Sequence, residues 1–314
     1  MHNKYIFTNV IGTFIFNEHF SILDKKLFKD SEQYKDKGKF EEEFSKKYKN
    51  LKKPEGKELE KILLFFNNKE YFSEFYLKNI VLTKEAVKAS VKEDLLIIQT
   101  INNVDEINKS INLLIKRLRE WYAYYNPEFE NSLRDQEKFV ELVLEKNKKE
   151  LLKEVNVSEK ESMGADFEKE EVEPILNLGK EVRNLYSLKK KQEEYLEKLM
   201  KNVCPNLLAM TGANIGAKLI AQASGLKRLM EFPASTVQLL GAEKALFRHM
   251  KTGARAPKFG FLHEHPLIAR YPRELHGKIA RALADKISLA VKVDYFKGQF
   301  IGDKLLKEVE EKFK

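Results

Sequence analysis

Hydrophobic and polar positions change their rhythm several times along the chain. From Lys4 to Phe28 (KYIFTNVIGTFIFNEHFSILDKKLF), β-branched and aromatic residues partly alternate with polar ones, and Gly12 and the Asn17–Glu18 region offer breaks. A period of two predicts two or three short strands. Helical spacing follows in Phe40–Tyr48 and Leu59–Phe66, separated by Pro54 and Gly56. The expectation is a small α+β domain over residues 1–93. Its aromatic run, Phe65, Phe66, Tyr71, Phe72, Phe75 and Tyr76, reads first as core and second as an interface.

From Asp94 the period lengthens. Ile107, Ile111, Leu114, Leu118, Trp121 and Tyr125 alternate steps of four and three, which is a coiled-coil seam. With Leu95–Val104 in front, this predicts a helix of about thirty residues, roughly 45 Å long, stopped at Pro127. A weaker helix is expected from Leu133 to Val155, then a loop at SEKESMGADFEKEE. A third helix begins near Pro174, a residue tolerated in a first turn. Its seam runs Leu178, Val182, Leu185, Lys189, Gln192, Leu196, Leu199, Val203. Two such helices joined by a bend form an antiparallel hairpin over residues 94–204. The hairpin either only spaces two domains or also pairs with a second copy. Its apolar stripe exceeds what one partner helix covers, and Lys189 and Gln192 can set register, so self-association is expected. The dimerisation residues would be Ile107, Ile111, Leu114, Leu118, Leu185 and Leu196.

Residues 205–314 read as an all-helical domain of short segments. Pro205 breaks the long helix; Asn214–Ala223 is a helix entered through Gly212 and left through Gly225. Pro233, Ser235 and Thr236 start a turn of helix through Leu240. After Gly241, Ala242–Met250 forms another, with Leu246 and Phe247 inward. The fold class is therefore mainly α: an N-terminal α+β domain, a long hairpin and a helical C-terminal domain.

Charge sharpens this picture. Gly212–Phe300 holds fifteen Lys/Arg against six acids, a surplus of nine that equals the formal +9 of the whole 314-residue chain. Such asymmetry points to a polyanion partner. Lys244, Arg248 and Lys251 follow at steps of four and three on one helical face, and the loop TGARAPKFG adds Arg255 and Lys258. That surface can neutralise consecutive phosphates, and arginine favours irregular RNA over a uniform duplex. Gly241 leaves room for close approach of a backbone, and amides at the helix start can receive a phosphate. Glu243 could orient Lys244 or Arg248, or accept from a base amino edge. The competing reading of the charges is a solvated outer face.

Other chemistry is sparse. One cysteine, Cys204, excludes an internal disulfide and a Cys-rich zinc site. His263-Glu264-His265 lacks a third ligand at fixed spacing and reads as a turn, so no metal is expected. GANIG lacks the third glycine of a dinucleotide fingerprint, and no nucleophile elbow, phosphate loop or acid pair stands out, so no catalytic residue is assigned. No apolar run has membrane-spanning length, and the start MHNKYIFTNV lacks a signal pattern. The expectation is a soluble intracellular protein without a membrane partner.

GAEKALFRHMKTGARAPKFGFLHEHPLI (Gly241–Ile268), preceded by PASTVQLLG, resembles the signature of the Nop-domain family. The resemblance reaches back through LIIQTINNVDEINKSINLLIKRLREWYAYYNPEF (Leu96–Phe129) and SMG (Ser162–Gly164), and on to KVDYFKG (Lys292–Gly298). It implies a non-catalytic scaffold of a box C/D ribonucleoprotein directing RNA-guided ribose 2′-O-methylation of rRNA or tRNA, similar to the archaeal members. The implied partners are the methyltransferase fibrillarin on the N-terminal domain, a second copy through the coiled coil, and box C/D guide RNA folded as a kink-turn with a small ribosomal-type protein. By the family motif, the RNA-binding residues would be Gly241, Glu243, Lys244 and Arg248, with Arg255 and Lys258 in the following loop; Lys251 joins them from the shared helical face. No cofactor is expected on this chain; S-adenosylmethionine would belong to fibrillarin. The Lys-rich tail of eukaryotic members does not follow GDKLLKEVEEKFK, which favours either an archaeal, hence cytoplasmic, protein or a trimmed chain; a eukaryotic one would be nucleolar. The alternative is a splicing-factor relative binding a spliceosomal kink-turn RNA, and an enzyme reading would require turnover without fibrillarin.

Overall fold

The computed structural model describes residues 3–313, so Met1 and His2 of the start read for a signal pattern, and Lys314 of the tail, lie outside the described residues. Two compact units divide at Lys92/Glu93. The first contains strands β1 (Lys4–Thr8), β2 (Gly12–Phe16) and β3 (Ile22–Leu27), helices α1 (Ser31–Lys35) and α2 (Lys37–Lys47), strand β4 (Leu51–Lys52), and helices α3 (Gly56–Phe65) and α4 (Lys69–Ser90). Sheet order is β3-β2-β1-β4, with β1 antiparallel to β2 and parallel to β4.

Strand β2 is buried along its whole length because both of its faces are covered. Phe14 and Phe16 pack with Ile62, Phe66 and Tyr71, whereas Ile15 turns to the other face and meets Ile6 and Phe44. The aromatic run therefore divides. Phe66 and Tyr71 are core, while Phe72, Phe75 and Tyr76 are exposed and join Leu63 and Leu64. Leu63, Leu64, Phe72 and Phe75, together with Phe7, rim an apolar groove of about 390 Å³.

The second unit begins with α5 (Glu93–Tyr125), then α6 (Pro127–Ser132), α7 (Gln136–Glu145), α8 (Lys148–Glu154) and α9 (Lys169–Val203). Helices α5 and α9 are antiparallel: Ile97 and Ile101 at the start of α5 share a core with Leu196 and Met200 at the end of α9, while Leu118 and Tyr122 share one with Ile175 and Val182. The single helix expected over 133–155 is broken at Asn147, whose side chain accepts from Glu150 N while Glu150 reaches back to the Asn147 amide. Pro174 lies inside α9, not in its first turn; the true start is Glu168, capped reciprocally with Glu171.

The bend at the hairpin tip is locked by SMG. Glu128 accepts from Met163 N at 2.6 Å and from Ser162 Oγ at 3.1 Å. A Cβ on Gly164 would stand 2.2 Å from the Tyr125 carbonyl oxygen, so only glycine lets these backbones touch. Arg119 fastens α6 from beneath: it donates to Glu130 Oε1 and to the carbonyls of Glu130 and Leu133, and its guanidinium lies 4.6 Å from the Phe139 ring centre.

No boundary falls at 204/205, where the sequence reading ended one domain and began another. Cys204 is fully buried in a core that runs from the base of the hairpin into the C-terminal helices. These are α10 (Pro205–Ala223), α11 (Leu226–Glu231), α12 (Ala234–Leu239), α13 (Glu243–Thr252), a 3₁₀ turn (Phe261–Glu264), α14 (Pro266–Arg270), α15 (His276–Tyr295) and α16 (Gly302–Lys312). Buried residues of α15, among them Ile279, Leu283 and Ile287, form the centre of the bundle. Helix α10 begins at Pro205, nine residues before the predicted start, and Gly212 is a kink within it at φ +72°.

The heptad reading needs a correction. Ile107, Ile111, Leu118 and Leu196 are at most 7% exposed within a single chain, so they are spent inside the hairpin and offer nothing to a second copy. Leu114 and Leu185 are half-buried. Beyond Ile111 the buried line also shifts from Leu114 to Ile115 and from Trp121 to Tyr122, keeping Leu118 and leaving Trp121 partly exposed. A straight helix of 3.6 residues per turn drifts from a 3.5-residue repeat in this way.

Candidate nucleic-acid interface

The chain leaves the bundle after Leu240 and returns at Gly260, and the two ends are tied together. Gly260 N donates to Gln238 O at 2.9 Å, Phe261 N to Leu240 O at 2.8 Å, and Gln238 Nε2 to Lys258 O at 2.6 Å. Between them stands an arm: helix α13 and the loop 253–259. No residue of α13 is buried. Leu246 is half-buried, but Phe247, expected inward, is 59% exposed, and Met250 is 70% exposed.

The turn into the arm is held by Gly241 and Glu243. Gly241 has φ +89°, and a Cβ there would meet the Phe261 ring at 2.8 Å. The glycine is therefore required by the ring packed over it and by its backbone conformation, where the sequence reading invoked room for a ligand. Glu243 Oε1 accepts from Gly241 N at 2.8 Å. That carboxylate braces the turn and places negative charge at the start of α13, which opposes the phosphate expected on the helix amides without occupying them. At the other end Gly253 closes the helix at φ +68°, donating to His249 O, while His249 Nδ1 meets Ala254 O.

Lys244, Arg248 and Lys251 share one face of α13 and are exposed, as are Arg255 and Lys258. Among the described residues none of these five cations has a carboxylate within ion-pair distance, in contrast to Lys218 with Glu264 at 2.9 Å. They are not equally placed. Lys258 sits at the base of the arm with its stem 3.6 Å from the Cβ position of Gly277 on α15, beside Lys278 and Arg281. Those two cations were missed by sequence reasoning, although their three-residue step on a helix is a signal that they share a face.

The His263-Glu264-His265 segment is structural. His265 is buried; its Nδ1 accepts from Leu267 N at 3.2 Å, which leaves Nε2–H to donate to Met210 O at 2.9 Å. Burial lowers its pKa and keeps the ring neutral. His263 is exposed, and Glu264 is engaged by Lys218. Among the described residues no group of three or more His, Cys, Asp or Glu is placed to hold a metal ion. Among the described residues no helix is long and apolar enough to cross a membrane.

A helical hairpin that runs without a break into a bundle bearing a cationic arm defines the class of this chain. It belongs to the Nop family: the family model described as "snoRNA binding domain, fibrillarin" matches residues 103–314, more than half of the chain. An uncharacterised NOP5 family protein of Methanocaldococcus jannaschii is 38% identical over 268 residues, covering 80% of this chain and 64% of that protein. Nucleolar protein 56 of Dictyostelium discoideum is 36% identical (68% and 43% covered), and that of Homo sapiens 35% (73% and 42%). This chain thus spans less than two thirds of these relatives. The chain solved in a crystal structure of a fibrillarin/Nop5p complex is 22% identical, with a TM-score of 0.47 over 98% of both chains.

Proposed function

We propose that this chain is a non-catalytic scaffold of a box C/D ribonucleoprotein, gripping a folded guide RNA with its arm while other surfaces hold the methyltransferase and a second copy. The observation that carries the reading is the arm: a helix with no buried residue and, among the described residues, no internal ion pair on Lys244, Arg248 or Lys251. A helix that its own chain leaves uncovered and cationic is one whose stabilising contacts lie on a partner. Phosphates take the lysines and arginines with release of counterions, and exposed Phe247 and Met250 supply apolar contact to the RNA or to the small protein that kinks it. Replacing Lys244 and Arg248 together by alanine is expected to weaken binding of a kink-turn RNA carrying its small protein by about 2–4 kcal/mol, as loss of two charged contacts does. A gel shift reads this; binding indifferent to both changes moves the site elsewhere.

The apolar groove of the N-terminal unit, with Leu63, Leu64 and Phe72 on its rim, is the surface suited to fibrillarin, because exposed apolar patches of this kind mark protein partners. Self-association then falls to apolar residues that the hairpin leaves outside, Leu113, Tyr124, Leu188 and Tyr195, instead of the seam. Sedimentation is expected to give a dimer for the chain alone and a larger particle with fibrillarin. A monomer that leaves fibrillarin free would remove both assignments. S-adenosylmethionine belongs, in this reading, to fibrillarin. The spliceosomal alternative has no observation of its own, and the Nucleolar protein 56 relatives favour the box C/D reading.

A further inference from the structure

A groove of about 700 Å³ opens where the arm rejoins the bundle, between the loop 257–258, the outer face of α15 and the end of α16. Four cations line it: Lys258, Lys278, Arg281 and Lys312. Two acids, Glu274 and Asp285, line it as well, so the groove carries a surplus of two positive charges. Among the described residues none of the six is in an ion pair, although Lys286, on the same helix, is bound to Glu308. The half-buried ring of Phe313 and the apolar Leu239 and Ala282 form part of the wall. The volume lies within the range of sites that enclose a small ligand or one unit of a polymer.

We propose that this groove receives a single-stranded RNA segment continuing from the RNA held on the arm. The inference rests on the arm reading above and extends it to a second site. Lys258 belongs to both places: its residue closes the arm, and its stem runs along Gly277 into the groove. A strand leaving the arm therefore meets Lys258, then Lys278 and Arg281 one helical turn apart on α15. The mixture of groups selects among polyanions. Phosphates pair with the cations, base amino edges donate to Glu274 or Asp285, and a base stacks on Phe313. An acidic peptide brings carboxylates, which the two acids of the groove repel, and no base to stack on Phe313. A duplex keeps its bases stacked inside and cannot use Phe313.

The test compares a blunt kink-turn RNA with the same RNA extended by an oligopyrimidine single strand, each with the small kink-turn protein, on wild type and on Lys278→Glu/Arg281→Glu. Wild type is expected to bind the extended RNA more tightly, and the double variant to lose about tenfold on that RNA alone, with the blunt RNA unaffected. Its slope of log affinity on log salt should fall by about 1.4, as two single-strand phosphate contacts require. Both positions are exposed, and matched melting curves establish the fold; Lys278→Ala/Arg281→Ala repeats the measurement with a milder change. The groove assignment is overturned if the extension adds nothing to wild type, or if the variants bind the extended RNA as wild type does. It is equally overturned if polyglutamate displaces the extension as well as an oligonucleotide does. Wild type that fails to bind even the blunt RNA sinks the arm reading itself.

Discussion

Gly260→Ala is expected to destabilise the second unit by about 3 kcal/mol or more and to cost RNA binding as much as removing the cations of the arm, although every cation remains. The added Cβ would stand 1.8 Å from the Leu240 carbonyl oxygen and 2.5 Å from its carbon. These are backbone atoms, so no rotamer change relieves the overlap. Either the end of α12 at 238–240 or the return at 260–261 must move, and the bonds from Gly260 N to Gln238 and from Phe261 N to Leu240 are the ones that hold them. Overpacking costs about 1–3 kcal/mol and each lost buried hydrogen bond about 1. The arm has no buried residue of its own to keep it in place once its base opens. Gly253→Ala is the control: it lies at φ +68° with nothing within 4 Å of its Cβ, so only backbone strain of about 1–2 kcal/mol is expected. Thermal melting and a gel shift on both variants give the comparison. Native melting and native RNA affinity for Gly260→Ala would falsify the account of the arm's base.

The contrast shows which features a sequence can carry. The long helices were legible because seam residues such as Val182 and Leu196 repeat with the helix, and β2 because alternate positions face two different cores. Periodicity reports that Ile107 and Ile111 are buried; it does not report against what, which is why a seam used inside the chain was read as a dimer seam. Local capping marks were present at Asn147 and Glu168 and would have corrected two helix starts. The cations of the arm were legible as a set on one face, and their freedom from ion pairs could be seen only in three dimensions. Phe247 had the pattern of a core residue, but α13 has no core to face. The groove was illegible for a related reason. Lys258 and Arg281 are far apart in sequence, and only the return of the loop onto Gly277 makes them neighbours.

The joint between hairpin and bundle should be equally sensitive. Asp294, inside the KVDYFKG stretch, is buried on α15 and accepts from Asn206 N at 3.1 Å, Asn206 Nδ2 at 2.7 Å and Leu207 N at 2.8 Å. Two of these are the free amides at the start of α10, which Pro205 begins and which no cap of its own satisfies. Asn206 passes the constraint on, its Oδ1 accepting from Ile301 N at 2.6 Å just before α16. Asp294→Ala orphans three buried donors, and at about 1–3 kcal/mol for each unsatisfied group the expected loss is about 3–5 kcal/mol. For a unit of this size that is about a 10 °C fall in Tm. Burial raises the Asp294 carboxyl above its ordinary value, against the pull of its three donors. The folded state therefore holds this proton more tightly than the unfolded chain, and the group's contribution falls as pH climbs from the ordinary carboxylate value through the raised one. Asp294→Asn should lack that slope. It should also lose less than alanine, because one oxygen still accepts from Asn206 while its amide opposes Leu207 N. Melting from pH 4 to 7 separates the cases, and an alanine variant as stable as wild type would mean that the joint is held elsewhere.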